Sequence, residues 1–168
     1  MVTRRELARI AREGGLGLSM TEKDYVLGWL ISGFSSIESI CFTGGTALSK
    51  VYFPKVWRLS EDLDFILIEG DFGQVMERIK EVFSYVEGSS DIGLRLKSSY
   101  QNPSYLQLKI QYSAVLGKNW VKVDVTRDLV GERTRKELPA TYLDYPKVLV
   151  NVSEGLGKCR DSREHNRR

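Results

Sequence analysis

Apolar positions follow two different spacings along the chain, and these spacings predict where helices and strands lie. Apolar residues three and four positions apart, the spacing typical of one helix face, form a long stripe that opens after Asp71. Three earlier helices are predicted at Thr3 to Glu13, from a cap at Thr21 onward, and at Thr46 to Tyr52. The helix that starts at Thr21 is apolar on most sides, so we expect it to be largely buried.

Strands are predicted where apolar and polar residues alternate. The segment from Tyr105 to Ser113 alternates over most of its length, so one face should meet a core and the other should meet water or a cleft. Other predicted strands cover residues 37–43, 63–68, 92–98 and 120–126, with turns at 101–103 and 117–119. This order of elements favours an α/β (α+β) fold, in which helices pack on a mixed central sheet with antiparallel strands.

Length and periodicity together predict one domain. The chain has 168 residues, of which 42% are hydrophobic, enough for one ordinary core and too few for two. After Pro139 the periodicity fades. We therefore assign residues 1–150 to a single domain and residues 151–168 to a poorly packed polar tail.

Charge and apolar runs restrict the class of protein. The formal net charge of +3 equals that of the last eleven residues alone, so the body of the chain is neutral, which weakens any inference of nucleic-acid binding from bulk charge. The longest uncharged apolar run, Tyr25 to Phe34, is about half of a membrane span, and the N-terminus contains no apolar signal region. We expect a soluble, cytoplasmic protein that does not act on a membrane.

The scarcity of histidine and cysteine excludes several kinds of active site. The single histidine, His165, lies in the polar tail, so a Ser-His-Asp triad, a Cys-His pair or a zinc site with two imidazoles has no basis. Cys41 and Cys159 lie far apart and form no C-x-x-C motif, and Cys41 is predicted to be a small buried thiol. Any chemistry must therefore rest on carboxylates.

Three aspartates are predicted to share one face of the sheet. Side chains alternate along a strand, so Asp62 and Asp64 point to one side and Leu63 to the other. Asp124 lies between two valines in a later strand, and brings a third carboxylate to the same face if the two strands are neighbours. Carboxylates held this close repel one another unless a cation joins them, and magnesium or manganese prefers such oxygen ligands.

A glycine pair, Gly44 and Gly45, lies between a predicted strand and a predicted helix. Missing side chains there would let a phosphate approach backbone N–H groups at the start of the helix, with Thr46 capping that helix or binding a phosphate oxygen. Lys50, one helical turn later, is predicted on the same side as Thr46, where it would steady a triphosphate. A tight turn alone would also explain the glycine pair. The structural alternatives for the other residues are solvated edge charges at Asp62 and Asp64, an ion pair of Asp124 with Lys122 or Arg127, and a surface position for Arg58.

Three segments together resemble the AbiEii/AbiGii toxin family of nucleotidyltransferases, a branch of the DNA polymerase beta-like nucleotidyltransferase superfamily. They are GGTALSK at 44–50, RLSEDLDF at 58–65 and VKVDV at 121–125, in the order and strand placement of the family's motifs. The resemblance implies a polymerase beta-like core that transfers a nucleoside monophosphate from an NTP to an acceptor hydroxyl. It also implies an RNA acceptor, with tRNA as one candidate, and an antitoxin protein as partner.

The same resemblance assigns roles to single residues. The implied nucleotide-binding residues are Gly44, Gly45, Thr46, Lys50, Arg58 and Ser60, and the implied metal ligands and catalytic residues are Asp62, Asp64 and Asp124. Members of the branch continue into a helical portion with a glutamate-and-lysine motif, which Glu154 and Lys158 match only in part. Two alternatives therefore stay open: a nucleotide-binding module that transfers nothing, and a metal-dependent nuclease built on the same aspartates, which needs no glycine turn.

Overall fold

The computed structural model of the protein describes residues 1–53, 61–128, 132–139 and 148–154. Its elements, in chain order, are α1 (Arg4–Gly14), α2 (Leu18–Phe34), β1 (Ile40–Thr43), α3 (Gly44–Ala47), a π-helical segment (Leu48–Tyr52), β2 (Asp62–Leu67), α4 (Phe72–Ser90), β3 (Gly93–Asn102), β4 (Tyr105–Ala114), β5 (Gly117–Thr126), β6 (Glu132–Glu137) and β7 (Leu149–Glu154).

The described strands form one mixed sheet in the order β3-β4-β5-β2-β1-β7-β6. The β2–β5 and β1–β7 pairs are parallel, and the remaining pairs are antiparallel. This arrangement confirms the predicted α+β fold with a mixed central sheet. Because β2 pairs with β5 across the long α4–β3–β4 connection, residues about sixty positions apart become neighbours.

Helices α2 and α4 pack on the apolar face of the sheet. Every second residue of β2, β4 and most of β5 is buried, and Phe34 of α2 packs on Phe65 of β2 with ring centres 5.2 Å apart. The two helices meet closely at Gly33, where an added Cβ would lie 2.8 Å from Val82 Cγ1. The alternate polar side chains of β2, β4 and β5 are therefore left to the opposite face, where the candidate site lies.

Local hydrogen bonds explain where the helices begin. Thr3 and Asp71 cap α1 and α4, each in a reciprocal capping box with the residue three positions later. The predicted start of α2 at Thr21 is wrong, because the helix begins at Leu18 and the Thr21 hydroxyl donates to the Gly17 carbonyl 3.1 Å away. No helix in the described ranges is both long enough and apolar enough to cross a membrane.

The C-terminal part of the sheet was not predicted. Strand β7 pairs with β1 through Phe42 and Val152, and Val152 is fully buried. The assignment of residues 151–154 to a polar tail is therefore wrong, since these residues complete a strand. The rest of that predicted tail, residues 155–168, lies outside the described residues, as does the segment 54–60 with Arg58 and Ser60.

Candidate active site

Asp62, Asp64 and Asp124 lie on the polar face of the sheet, on the adjacent strands β2 and β5. Asp64 is paired in register with Asp124, and Asp62 with Lys122. The residues between them are buried on the other face, so strand alternation directs the three carboxylates to the same side. Both the shared face and the neighbouring strands agree with the sequence-based expectation.

The ionisation of Asp64 reflects the crowding of negative charge. Burial raises the pKa of its carboxyl group above the usual value, and the charges of Asp124 and Asp62 raise it further, while Lys122 acts in the opposite direction. The three acids therefore interact electrostatically. Carboxyl groups perturbed in this way are enriched at functional sites.

Lys122 adds a cation to this group of acids. Its Nζ lies 3.1 Å from Asp124 Oδ2 and 3.3 Å from Asp62 Oδ2. The hydrogen bond to Asp124 raises the pKa of the Lys122 ammonium, and the nearby carboxylate charges add to this, so the group is protonated at neutral pH. The ion pair between Asp124 and Lys122, one of the structural alternatives for this acid, is thus present.

The second oxygen of Asp124 is held by strand β4. Tyr105 donates its hydroxyl to Asp124 Oδ1 at 2.6 Å, and Gln107 Nε2 donates to the same oxygen at 3.2 Å and to the Tyr105 hydroxyl at 2.6 Å. Burial raises the pKa of Tyr105, and its hydrogen bond to Asp124 adds to the effect, so the phenol stays a donor. Sequence reasoning missed both residues. Their positions on the polar face of β4 could be read from the sequence, but only the register of β4 against β5 shows that they lie beside Asp124.

Gly44 lies directly against Asp64. Its φ is +76°, and an added Cβ would lie 2.9 Å from the Asp64 Cβ and 3.0 Å from its Cγ, with Oδ2 closer still. Both the left-handed backbone and the close approach therefore require glycine. Gly45 follows in α3. The predicted strand, glycine pair and helix are thus present, and they place backbone without a side chain beside the buried acid.

Thr46 and Lys50 have different partners from those predicted. The Thr46 hydroxyl donates to the Asp62 carbonyl at 2.7 Å, so it fastens α3 to β2 and does not cap the helix. Lys50 Nζ lies 2.8 Å from Asp24 Oδ1 and 3.3 Å from the Asp24 carbonyl, in a buried ion pair. The π-helical segment that begins at Leu48 changes the helical spacing on which the predicted position of Lys50 beside Thr46 was based, and the Lys50 ammonium is held by Asp24.

The acids suit a divalent cation in donor chemistry. Carboxylate oxygens of Asp62, Asp64 and Asp124 are hard ligands of the kind that magnesium and manganese prefer, and an added positive charge would relieve the repulsion that raises the pKa of Asp64. Within the described ranges, however, no group of three or more His, Cys, Asp or Glu side chains is arranged to hold a metal ion. The three carboxylates share one face without forming such a group, and the Lys122 ammonium bridges two of them.

Solved structures include chains with the same fold as this one. The chain matches MenT4, the nucleotidyltransferase toxin Rv2826c from Mycobacterium tuberculosis H37Rv, with a TM-score of 0.66 and 20% identity over 92% of this chain and 55% of that one. It matches JHP933 from Helicobacter pylori with a TM-score of 0.52 and 16% identity over 83% of this chain and 53% of that one. The chain thus spans about half the length of these structures. A search of curated protein sequences gives no match.

A family model described as "Nucleotidyl transferase AbiEii toxin, Type IV TA system" matches residues 33–153. This range includes Gly44 and the three aspartates, and it covers most of the chain. The chain therefore belongs to the AbiEii family of nucleotidyltransferase toxins of type IV toxin–antitoxin systems.

Proposed function

We propose that this chain is the nucleotidyltransferase domain of a toxin, and that it transfers a nucleoside monophosphate from an NTP to an acceptor hydroxyl with magnesium or manganese as cofactor. The observation that carries the proposal is the placement of Asp64 in register with Asp124 and in contact with Gly44. Phosphoryl transfer depends mainly on positioning and charge neutralisation, and these residues are suited to both. Family membership supports the reaction type.

Different residues of the site would bind the triphosphate and the divalent cation. Backbone N–H groups at Gly44 and Gly45 would receive the triphosphate, and Asp62, Asp64 and Asp124 would hold the divalent cation. When bound, such a cation neutralises phosphate charge and lowers the pKa of the acceptor hydroxyl.

Other side chains support these positions. Tyr105 and Gln107 fix the Asp124 carboxylate, which would orient the acceptor hydroxyl, and Thr46 keeps the glycine turn against β2. Arg58 and Ser60 complete the proposed nucleotide-binding set on the basis of the family resemblance.

RNA is the proposed acceptor, because of the surface next to the acids. On the same polar face, Trp120 is 40% exposed, and the Nζ of Lys109 lies 3.8 Å from the centre of its ring. The Nζ of Lys23, from α2, lies 5.4 Å from that ring and also pairs with Glu61 at 3.0 Å. Exposed Arg95 and Tyr100 continue this surface on β3. We call Lys23, Arg95, Tyr100, Lys109 and Trp120 the basic-aromatic strip. Unpaired RNA bases stack on aromatic rings while neighbouring cations contact phosphates, and this strip offers both.

The proposed setting in the cell follows from the family and the substrates. The family's description as part of a toxin–antitoxin system supports an antitoxin as partner. NTPs and an RNA acceptor, with tRNA as one candidate, would be met in the cytoplasm, which is the compartment we propose.

The proposal is tested by incubating the chain with each α-labelled NTP, magnesium or manganese, and total RNA. We expect labelled RNA and released pyrophosphate with at least one NTP, and neither product with Asp64→Asn. The matched control is Asp91→Asn, which removes a carboxylate at the end of α4, where the left-handed backbone (φ 58°) tolerates asparagine. NTP binding without transfer would instead identify an inactive nucleotide-binding module. Shortened RNA would identify a nuclease.

A further inference from the structure

Lys122 bridges two of the proposed metal ligands. Its ammonium is within 3.3 Å of carboxylate oxygens from both Asp62 and Asp124, which lie on different strands. Asp62 is its register partner on β2, and Asp124 is two residues farther along β5 on the same face. Two strands in the interior of the sheet thus hold the ammonium close to both acids. The proposed transfer reaction does not assign a role to Lys122.

The position of this ammonium conflicts with metal binding by the same acids. The ammonium contacts Asp62 Oδ2 and Asp124 Oδ2, and it would repel a divalent cation held by the same carboxylates. A divalent cation would therefore compete with the ammonium for these two acids. Without either cation, three carboxylates would face one another on a partly buried surface, which is unfavourable.

We propose that Lys122 is a built-in counter-ion of the active site, which offsets part of the negative charge of the acids before the metal arrives and is exchanged for the metal when it binds. Lys122 is then a positioning residue that lowers the affinity of the free site for divalent cations and keeps the empty site folded. This inference rests on the proposed function, because it takes the three aspartates to be the metal ligands.

The test measures Mn²⁺ binding by isothermal titration calorimetry, without nucleotide, for the parent chain, Lys122→Met and Lys118→Met. Lys118 lies on the same strand and the same face, so its replacement makes the same change in net charge away from the acids. We expect Lys122→Met to bind Mn²⁺ about tenfold more tightly than the parent, because two partly exposed ion pairs no longer have to break. Lys118→Met should stay within about twofold of the parent, because salt screens its more distant charge.

Thermal unfolding supplies a second measurement. Without metal, Lys122→Met should melt below Lys118→Met, and saturating Mn²⁺ should raise its melting temperature by more than that of the parent. Lys122→Gln serves for the same comparison if the methionine variant does not fold, and Lys122→Arg should restore parental Mn²⁺ affinity because it keeps the bridging charge.

The proposal is overturned if Lys122→Met, or Lys122→Gln in its place, binds Mn²⁺ no more tightly than Lys118→Met, including the case in which neither binds. Label transfer by the parent chain is measured separately. Transfer without the expected gain in Mn²⁺ affinity would reject the counter-ion role and leave the proposed function standing. Tighter Mn²⁺ binding by Lys122→Met without transfer by the parent would support the counter-ion role and reject the proposed transfer reaction.

Discussion

At the scale of single residues, the candidate site depends on the absence of a side chain at Gly44, which lies against Asp64. Strand alternation was enough to predict that Asp62 and Asp64 share a face, because period two is a property of any strand. The close approach of Gly44 to Asp64 was not predictable, since it results from the antiparallel pairing of β1 with β2, which brings Thr43 opposite Asp64. A glycine pair in the sequence shows only that a turn is allowed there.

Replacing Gly44 by alanine should therefore destabilise the protein for two reasons. The positive φ alone costs about 1 kcal/mol for a residue with a Cβ, and the contact with the Asp64 side chain adds to this. Gly15→Ala is the matched control, because Gly15 has φ +65° but nothing within 4 Å of an added Cβ. In urea unfolding, Gly44→Ala should lose at least about 1 kcal/mol more than Gly15→Ala. Equal losses would show that Asp64 simply moves aside.

Glu22 carries a pH dependence that can be measured apart from the site. It is buried on α2, where its Oε1 accepts the Leu116 N–H at 2.6 Å, and burial raises the pKa of its carboxyl group above 4.5. A raised folded-state pKa means that its contribution to stability is present below the unfolded pKa and is lost as the pH rises through the folded pKa. Glu22→Gln should therefore show a smaller decline of unfolding free energy from about pH 4 to 7 than the parent.

The control for this pH series has the opposite sign. Hydrogen bonds from Thr3 lower the pKa of Glu6, so its contribution is present above the unfolded pKa and is lost as the pH falls. Glu6→Gln should thus flatten the acid side of the stability curve. Glu22→Gln should make the slope of unfolding free energy against pH more positive, and Glu6→Gln should make it more negative. If both variants change this slope with the same sign, the assigned pKa directions are wrong.

At the scale of elements, periodicity predicted which side chains share one face of a strand better than it predicted which residues lie opposite each other on neighbouring strands. The strand from residue 105 was predicted to present one polar side, and it does, but a turn at 117–119 would have set another register. The observed connection at Val115 and Leu116 instead places Gln107 opposite Asp124. The register of a hairpin depends on one or two turn residues, and local sequence patterns locate these residues poorly. Because the turn between β4 and β5 was misplaced, Tyr105 and Gln107 were not recognised as partners of Asp124.

Lys50, in the π-helical segment, has two competing roles that can be tested: the predicted contact with a triphosphate and the observed ion pair with Asp24. Because Lys50 is in a buried ion pair with Asp24, Lys50→Met should remove the cation that balances this buried carboxylate and lower the unfolding free energy by about 3 kcal/mol. Adding Asp24→Asn should recover part of the loss by removing the charge. NTP affinity of the folded protein should be unchanged in both variants. Stability close to that of the parent with a clear loss of NTP affinity would restore the predicted triphosphate role of Lys50.

At the scale of the whole molecule, net charge gave a misleading description of the surface. The body of the chain is neutral in sum, and the sequence therefore gave no support for a nucleic-acid partner. The sheet, however, gathers cations and rings on the polar face of β3, β4 and β5, and the acids on β2 and the far end of β5. This separation depends on strand order, which a sum over the sequence does not contain.

If the basic-aromatic strip binds the acceptor, its ring and its cations should contribute in different ways. Trp120→Ala should weaken binding of a labelled single-stranded RNA by about 5- to 100-fold, the range typical of one lost base stack. Lys109→Met should weaken it less and should reduce the slope of log affinity against log salt by about 0.7, the value of one phosphate contact to a single strand. The control is Tyr85→Ala, since Tyr85 is a similarly exposed ring (41%) on α4, a helix that packs on the opposite face of the sheet. Fluorescence anisotropy at several salt concentrations measures both effects. Equal losses for Trp120→Ala and Tyr85→Ala, or an unchanged salt slope for Lys109→Met, would mean that the acceptor approaches the three aspartates from another side.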